Sequence, residues 1–202
     1  MVAEPKRNRQ AERREATRGE ILDAAWEVAR ELGLAGLSLR DVAGRIGMRP
    51  PSLYWYFDSK HAIYDAMFAQ GNQALLRRID ERDLPTEPRA RLREVARVFI
   101  EFAMEDPARS QLMFQRTIPD FEPSAESYAY ALEVFERGRQ ALADAGVTTP
   151  EQLDLWTALV AGLTSQQLTN DPNGDRWLRL ADDAIDMYAD HVLPRRANRR
   201  KT

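Results

Sequence analysis

Ser38-Leu39-Arg40-Asp41-Val42-Ala43-Gly44-Arg45-Ile46-Gly47-Met48-Arg49-Pro50-Pro51-Ser52-Leu53-Tyr54-Trp55-Tyr56-Phe57 reads as two short helices around a glycine turn. Ser38 and Asp41 can cap a helix start, Val42, Ala43 and Ile46 form its inward face, and Gly47 stops it after about two turns. Residues that precede a proline avoid helical geometry, so the chain is expected to stay extended until Pro51 takes the first position of the next helix. In that helix Leu53 and Phe57 share a face at i,i+4, which groups Ser52, Trp55 and Tyr56 on another. One side is built to pack and the other to look outward.

The segments on either side are helical too. Upstream, Ile21, Ala25, Val28 and Leu32 mark a helix opened by Thr17-Arg18-Gly19-Glu20 and closed by Gly33. Downstream, Asp58 or Ser59 opens a longer helix (Ile63, Met67, Ala74, Leu75, Ile79) that ends before the bracketed loop Leu84-Pro85-Thr86-Glu87-Pro88. Leu92, Val95, Phe99 and Phe102 define a fifth helix, and Asp106-Pro107 opens a short sixth. Tyr128, Leu132, Phe135, Arg139 and Leu142 run along a seventh that ends near Gly146. Thr149-Pro150-Glu151-Gln152 is a capping box for an eighth, and the turn Asp171-Pro172-Asn173-Gly174 separates it from a ninth carrying Trp177, Leu180, Ala184, Met187 and Tyr188. No stretch alternates strictly enough to make a strand, so the predicted fold is all-α.

Composition narrows the chemistry. The 202 residues hold 44% hydrophobic side chains and a net charge of −3, enough for a packed core. Cysteine is absent and there are two histidines, His61 and His191, which excludes disulfide scaffolds, thiolate metal sites and cysteine nucleophiles. Apolar runs fall short of a membrane span, and the basic start has no apolar stretch behind it to make a signal peptide, so a cytoplasmic protein is expected. Charge is uneven: residues 1–60 hold 11 basic and 9 acidic side chains, residues 61–194 hold 13 and 23, and the tail from Arg195 to Lys201 adds five cations. Local charge governs polyanion binding, which points to the front of the chain.

Two short helices joined by a glycine turn, the second with aromatic and polar residues outward, are the pattern of a helix-turn-helix that sets its second helix in the DNA major groove. The residues Thr17…Ile21-Leu22-Asp23-Ala24-Ala25…Gly33…Ser38-Leu39-Arg40-Asp41-Val42-Ala43…Gly47…Leu53-Tyr54-Trp55-Tyr56-Phe57…Ser59-Lys60 resemble the N-terminal signature of tetracycline-repressor-like (TetR family) regulators. Asp106-Pro107-Ala108-Arg109 with Leu112-Met113-Phe114, and Trp156 ahead of Ala161-Gly162, resemble a subgroup with a Trp…His-Gly pattern whose histidine position is Ala161 here. The resemblance implies a helix-turn-helix domain over 17–62 and a helical ligand-binding and dimerisation domain over 63–194. These would be flanked by a disordered basic arm (1–16) and a basic tail (195–202).

It further implies a homodimeric regulator, a repressor that leaves a palindromic operator when a small apolar effector makes the fourth helix swing the reading helices out of register. Neither a cofactor nor a metal is called for. Carried onto this sequence, the family pattern puts Arg40, Arg49, Pro51, Ser52, Trp55 and Tyr56 at base edges and Tyr54, Lys60 and Thr17 on phosphates. Those residue types suit such contacts, since arginine can donate two bonds to guanine, hydroxyls reach bases or phosphates, and an indole or proline edge can touch a thymine methyl. Each also has a plainer reading, the aromatics as core and the cations as solvated charge.

Among the middle helices Phe99, Phe102, Met113, Phe114, Tyr128, Phe135 and Trp156 would line an effector pocket or fill the core. Leu163, Gln167, Trp177, Leu180, Ala184, Met187 and Tyr188, on the last two helices, would form the dimer seam. The rival readings are a helical interaction adaptor that keeps the helix-turn-helix only for packing, and a helical-bundle enzyme. No Ser-His-Asp spacing, glycine-rich phosphate loop or His/carboxylate cluster supports the enzyme, so the chain is read as a non-enzyme.

Overall fold

The computed structural model describes residues 9–194. Among them are nine α-helices and one short 3₁₀ turn: α1 (Arg9–Gly36), α2 (Leu39–Arg45), α3 (Pro50–Leu53), α4 (Lys60–Asp80), α5 (Pro88–Glu105), α6 (Pro107–Phe114), α7 (Ala125–Ala143), α8 (Pro150–Asn170), the 3₁₀ turn Leu178–Leu180 and α9 (Ala181–Val192). The all-α expectation is met. Two compact units divide the described residues, one running up to residue 71 and joined by 108–128, the other of residues 72–107 with those from 129 onward. The division falls within α4, which runs unbroken from Lys60 to Asp80.

In the first unit α1 corrects the sequence reading. It begins at Arg9, so residues 9–16 are helical, and only residues 1–8 of the predicted arm, like the tail 195–202, lie outside the described residues. Thr17 is mid-helix and does not cap: its hydroxyl donates back to the Arg13 carbonyl at 3.1 Å. The segment Gln10-Ala11-Glu12-Arg13-Arg14-Glu15-Ala16 consists of good helix formers, and extending an existing helix is far easier than nucleating one. Gly33, with φ of 75°, breaks the helix as its position suggested. Ser38 caps α2 by accepting from the Asp41 N–H, and Gly47, with φ of 66°, turns the chain after it.

Arg45 at the end of α2 reaches back to Glu27 (3.2 Å) and to Glu31 on α1. Its hydrogen bond holds the Glu31 carboxyl below the ordinary carboxylate range. Ile21, Ala25, Val28, Val42, Leu53, Phe57, Ile63, Tyr64 and Met67 are buried, and the Tyr64 hydroxyl donates to the Leu34 carbonyl. Asp65 on α4 accepts from the N–H (2.6 Å) and hydroxyl (2.9 Å) of Ser124 and the hydroxyl of Ser127 (2.8 Å), fixing the start of α7.

In the second unit α5 packs on both α8 and α9. Leu92, Val95, Ala96 and Ile100 meet Trp156, Val160, Ile185, Tyr188 and Ala189 in its core. Along one edge Arg89, Arg93 and Arg97 of α5 pair with Asp190, Asp186 and Asp182 of α9, three rungs at matching four-residue spacing. The capping box at Thr149 forms with both of its hydrogen bonds.

Candidate nucleic-acid interface

The reading surface is built from α2, the Gly47 turn and α3. Pro50, not Pro51, takes the first position of α3, with Arg49 as an N-cap that provides no side-chain bond. Proline at that position sacrifices no helical hydrogen bond, so two in succession are tolerated. The four residues of α3 are followed by a turn in which the Tyr56 and Phe57 N–H groups both donate to the Leu53 carbonyl at 2.9 Å. Leu53 and Phe57 are thereby carried into the core while the other rings stay out: Trp55 is 81% exposed and Tyr54 57%. Tyr56 and Ser52 are half-buried, and Arg40, Arg49 and Pro51 are exposed. The predicted base-edge residues therefore sit on α2, on the turn that links it to α3, on α3 and on the turn that follows α3, where Trp55 and Tyr54 face solvent.

Lys60, at the first position of α4, is tied inward. Its ammonium donates to the Ala35 carbonyl at 3.3 Å and lies 5.3 Å from the centre of the Tyr64 ring. An ammonium has three donors, so this contact leaves capacity for an anion. Thr17 lies one helical turn from Arg14, with its hydroxyl bonded within α1.

Two residues absent from the sequence reading touch this surface. Arg14 donates to the Trp55 carbonyl at 3.2 Å, and Arg18 donates to the Tyr56 carbonyl at 2.5 Å with its guanidinium 4.2 Å above the Phe57 ring. A signal for them exists in the sequence, because positions 14, 18, 21, 25 and 28 continue one stripe at helical spacing. The density of charge at the start of the chain, which suggests an arm, hides it.

Residues 21–67, which hold the whole of this arrangement apart from the start of α1, match the family model described as bacterial regulatory proteins, tetR family. That stretch is similar to the DNA-binding part of the TetR family. It is similar to the tetracycline repressor protein class G of Vibrio anguillarum, 36% identical over 70 residues, which are 35% of this chain and 31% of that protein. The chain thus aligns to about a third of that relative's length. Among solved structures, the putative regulatory protein SCO4313 shares the fold with a TM-score of 0.70 at 21% identity, over 88% of this chain and 97% of that one. So does the transcriptional regulator FadR of Bacillus subtilis in complex with stearoyl-CoA, at 0.61 and 17%, over 84% and 96%.

The body residues are distributed as follows. Of the seven pocket candidates, Met113, Phe114 and Tyr128 belong to the first unit and Phe99, Phe102, Phe135 and Trp156 to the second. Phe102 is buried, and so is Trp156, which lies edge-on to Tyr188 at 5.4 Å. Phe114, Tyr128 and Phe135 are about half exposed. Phe99 lines a small apolar cleft with Val95, Val98, Gly138 and Ala141, and Arg82 lies at its edge.

On the last two helices Met187 is 75% exposed and Leu180 is exposed, beside the partly buried Leu163, Trp177 and Ala184. Gln167 and Tyr188 are buried within the subunit. The Gln167 amide donates to the carbonyls of Asp171 and Gly174 and accepts from the N–H groups of Trp177 (2.9 Å) and Leu178 (3.3 Å), organising the α8–α9 connection. Tyr188 donates to the Gln152 carbonyl at 2.8 Å, and burial pushes its phenol up to about 12. Gln167 looks like a seam residue because a polar side chain at an apolar helical position satisfies either role. No helix among the described residues is long and apolar enough to cross a membrane.

Proposed function

We propose that this chain is a DNA-binding transcriptional regulator, a homodimeric repressor that leaves its operator when a small apolar molecule binds. The observation that carries the reading is the exposed aromatic pair Tyr54 and Trp55 in the turn after α3, held on a packed helix-turn-helix by Leu53 and Phe57. A ring as large as that of Trp55, left 81% exposed on so short a helix, serves no packing purpose. The family match over residues 21–67 supports the same reading. Residues 17–62 form the DNA-binding part, with Arg40, Arg49, Pro51, Ser52, Trp55 and Tyr56 toward bases and Thr17, Tyr54 and Lys60 toward phosphates. Residues 63–194 serve ligand binding and dimerisation.

One α3 reads few base pairs, so a two-fold pair addressing half-sites about 34–36 Å apart is required. Support for the pairing face comes from α8 and α9, where Leu155, Met187 and Leu180 are exposed beside the small residues Ala158, Ala161 and Gly162. Support for an apolar effector comes from the aromatic content of the middle helices and from the stearoyl-CoA held by a protein of the same fold. Effector and operator would then weaken each other reciprocally, by roughly 1–3 kcal/mol of coupling.

The test is selection of genomic DNA fragments by the purified protein, with footprinting at two salt concentrations. A protected, near-palindromic site whose affinity falls steeply with salt is expected. Weak retention without sequence preference would favour the interaction adaptor.

A further inference from the structure

The exposed rings of Tyr54 and Trp55 follow directly on the four-residue α3, and a helix of one turn cannot hold itself together, its final carbonyls having no partners within the helix. Here the carbonyls just beyond it are met from outside, by cations. Arg14 and Arg18, one turn apart on α1, donate to the carbonyls of Trp55 and Tyr56, and the Arg18 guanidinium sits 4.2 Å over the ring of Phe57, which is itself buried. Positive charge at the carbonyl end of a helix is favourable, and arginine's planar, multi-donor fork fixes a carbonyl while its face covers a ring, a geometry that the compact ammonium of lysine does not reproduce. The contacts span 41 and 38 residues of sequence. Arg14 reaches Trp55 only because α1 continues N-terminal to Thr17.

We propose that the N-terminal turns of α1 are a splint for the reading segment, in which Arg18, assisted by Arg14, is a positioning residue that fixes the peptide groups of Trp55 and Tyr56. Sequence discrimination then depends on a side chain that touches no base. This rests on the DNA-binding reading above, and it competes with the simpler view that both arginines are phosphate contacts.

Charge-preserving and charge-removing variants separate the two. In Arg18→Lys the cation stays but the fork and the stacking are lost. The splint requires that the preference for the selected site over random duplex fall roughly tenfold, with random-duplex affinity and the salt slope unchanged. Amide hydrogen exchange at Tyr56 and Phe57 should quicken in the same variant, while exchange in α8 and α9 stays as in the parent. Arg18→Gln should do the same more strongly, and Arg14→Ala more weakly, since Arg14 is exposed.

A phosphate contact makes the opposite pattern: Arg18→Lys near parental, and Arg18→Gln weakening specific and random DNA alike with the salt slope reduced by about 0.9. That result overturns the proposal, as does unchanged exchange at Tyr56 and Phe57 in both Arg18 variants. Should the parent protein prefer no duplex at all, the DNA-binding reading falls and the positioning role falls with it. A parent that discriminates alongside variants that discriminate equally well sinks the splint alone.

Discussion

Both compact units set arginines four residues apart along one helix face, Arg14 and Arg18 on α1 and Arg89, Arg93 and Arg97 on α5, and the two sets meet different partners. On α5 every rung finds a carboxylate of α9 at matching spacing, so that edge is electrically closed. On α1 the hydrogen-bond partners across the fold are neutral carbonyls of the reading segment, and a carboxylate beside them, Glu15, stands at 3.9 Å from Arg18 on the same helix, so positive charge is less fully cancelled beside the exposed aromatic face. Periodicity states that such residues share a face. Whether the face cancels its charge or keeps it is decided by what the other helix presents, and in a chain with a net charge of −3 that choice creates a basic surface.

The contrast can be broken most forcefully at Phe57, the ring beneath Arg18. Phe57→Ala should cost about 3–5 kcal/mol in chemical denaturation. Trp55→Ala, two residues away but exposed, should stay within about 0.5 kcal/mol while abolishing site-specific DNA binding. Similar stability losses in the two variants would mean that the reading helix does not divide into a packed and a presented face.

Next in size is Gln167→Leu, which leaves carbonyls and N–H groups of the α8–α9 connection without partners and should destabilise by about 2–3 kcal/mol. A neutral result would place water or another group in that role. Tyr188→Phe should lose about 1 kcal/mol near neutral pH with its bond to the Gln152 carbonyl. With its folded pKa raised to about 12 from 10.0, Tyr188 keeps its proton longer in the folded protein than in the unfolded chain. Stability should therefore fall as pH rises from about 10 toward 12, and the Phe variant should lack that decline.

Smallest is the α5–α9 ladder, whose members are all partly exposed. Asp186→Asn should cost about 1 kcal/mol or less, and less still at high salt. The Arg93 guanidinium holds the Asp186 carboxyl below its ordinary 3.8. Its contribution is therefore complete above that value and is lost as pH falls through the lower folded value, a limb that Asp186→Asn should flatten in acid-denaturation curves. The bonds of Arg14 and Arg18 to the Trp55 and Tyr56 carbonyls should add no such acid limb, because backbone carbonyls do not titrate.

Much of the fold is legible in the sequence. Gly33 and Gly47 occupy left-handed conformations where the helix pattern stops, Ser38 caps α2, and Thr149 with Gln152 makes the reciprocal pair that their spacing announces. Within the candidate site, Leu53 and Phe57 packing inward beneath an exposed Trp55 follows from i,i+4 geometry on a very short helix. The start of α1 is not legible in the same way, because Thr17 is an ideal cap by residue type. A threonine within a run of helix formers can equally bond one turn back, and the residues before it settle the matter. Gln167, Tyr188, Arg14 and Arg18 escape assignment, since each looks locally like something else.

The division has a physical cause. Helix starts, stops and inward faces depend on hydrogen bonds and side-chain directions within about four residues, and the order of residues states these outright. The bracing of the Trp55 and Tyr56 carbonyls by α1, the closure of the α5 arginines by α9 and the burial of Gln167 depend on which groups meet. The first two join residues from 38 to 101 positions apart. Such pairings arise only when the helices pack, because a donor's partner is chosen by proximity in space, and the local pattern supplies the donor without naming what it will touch.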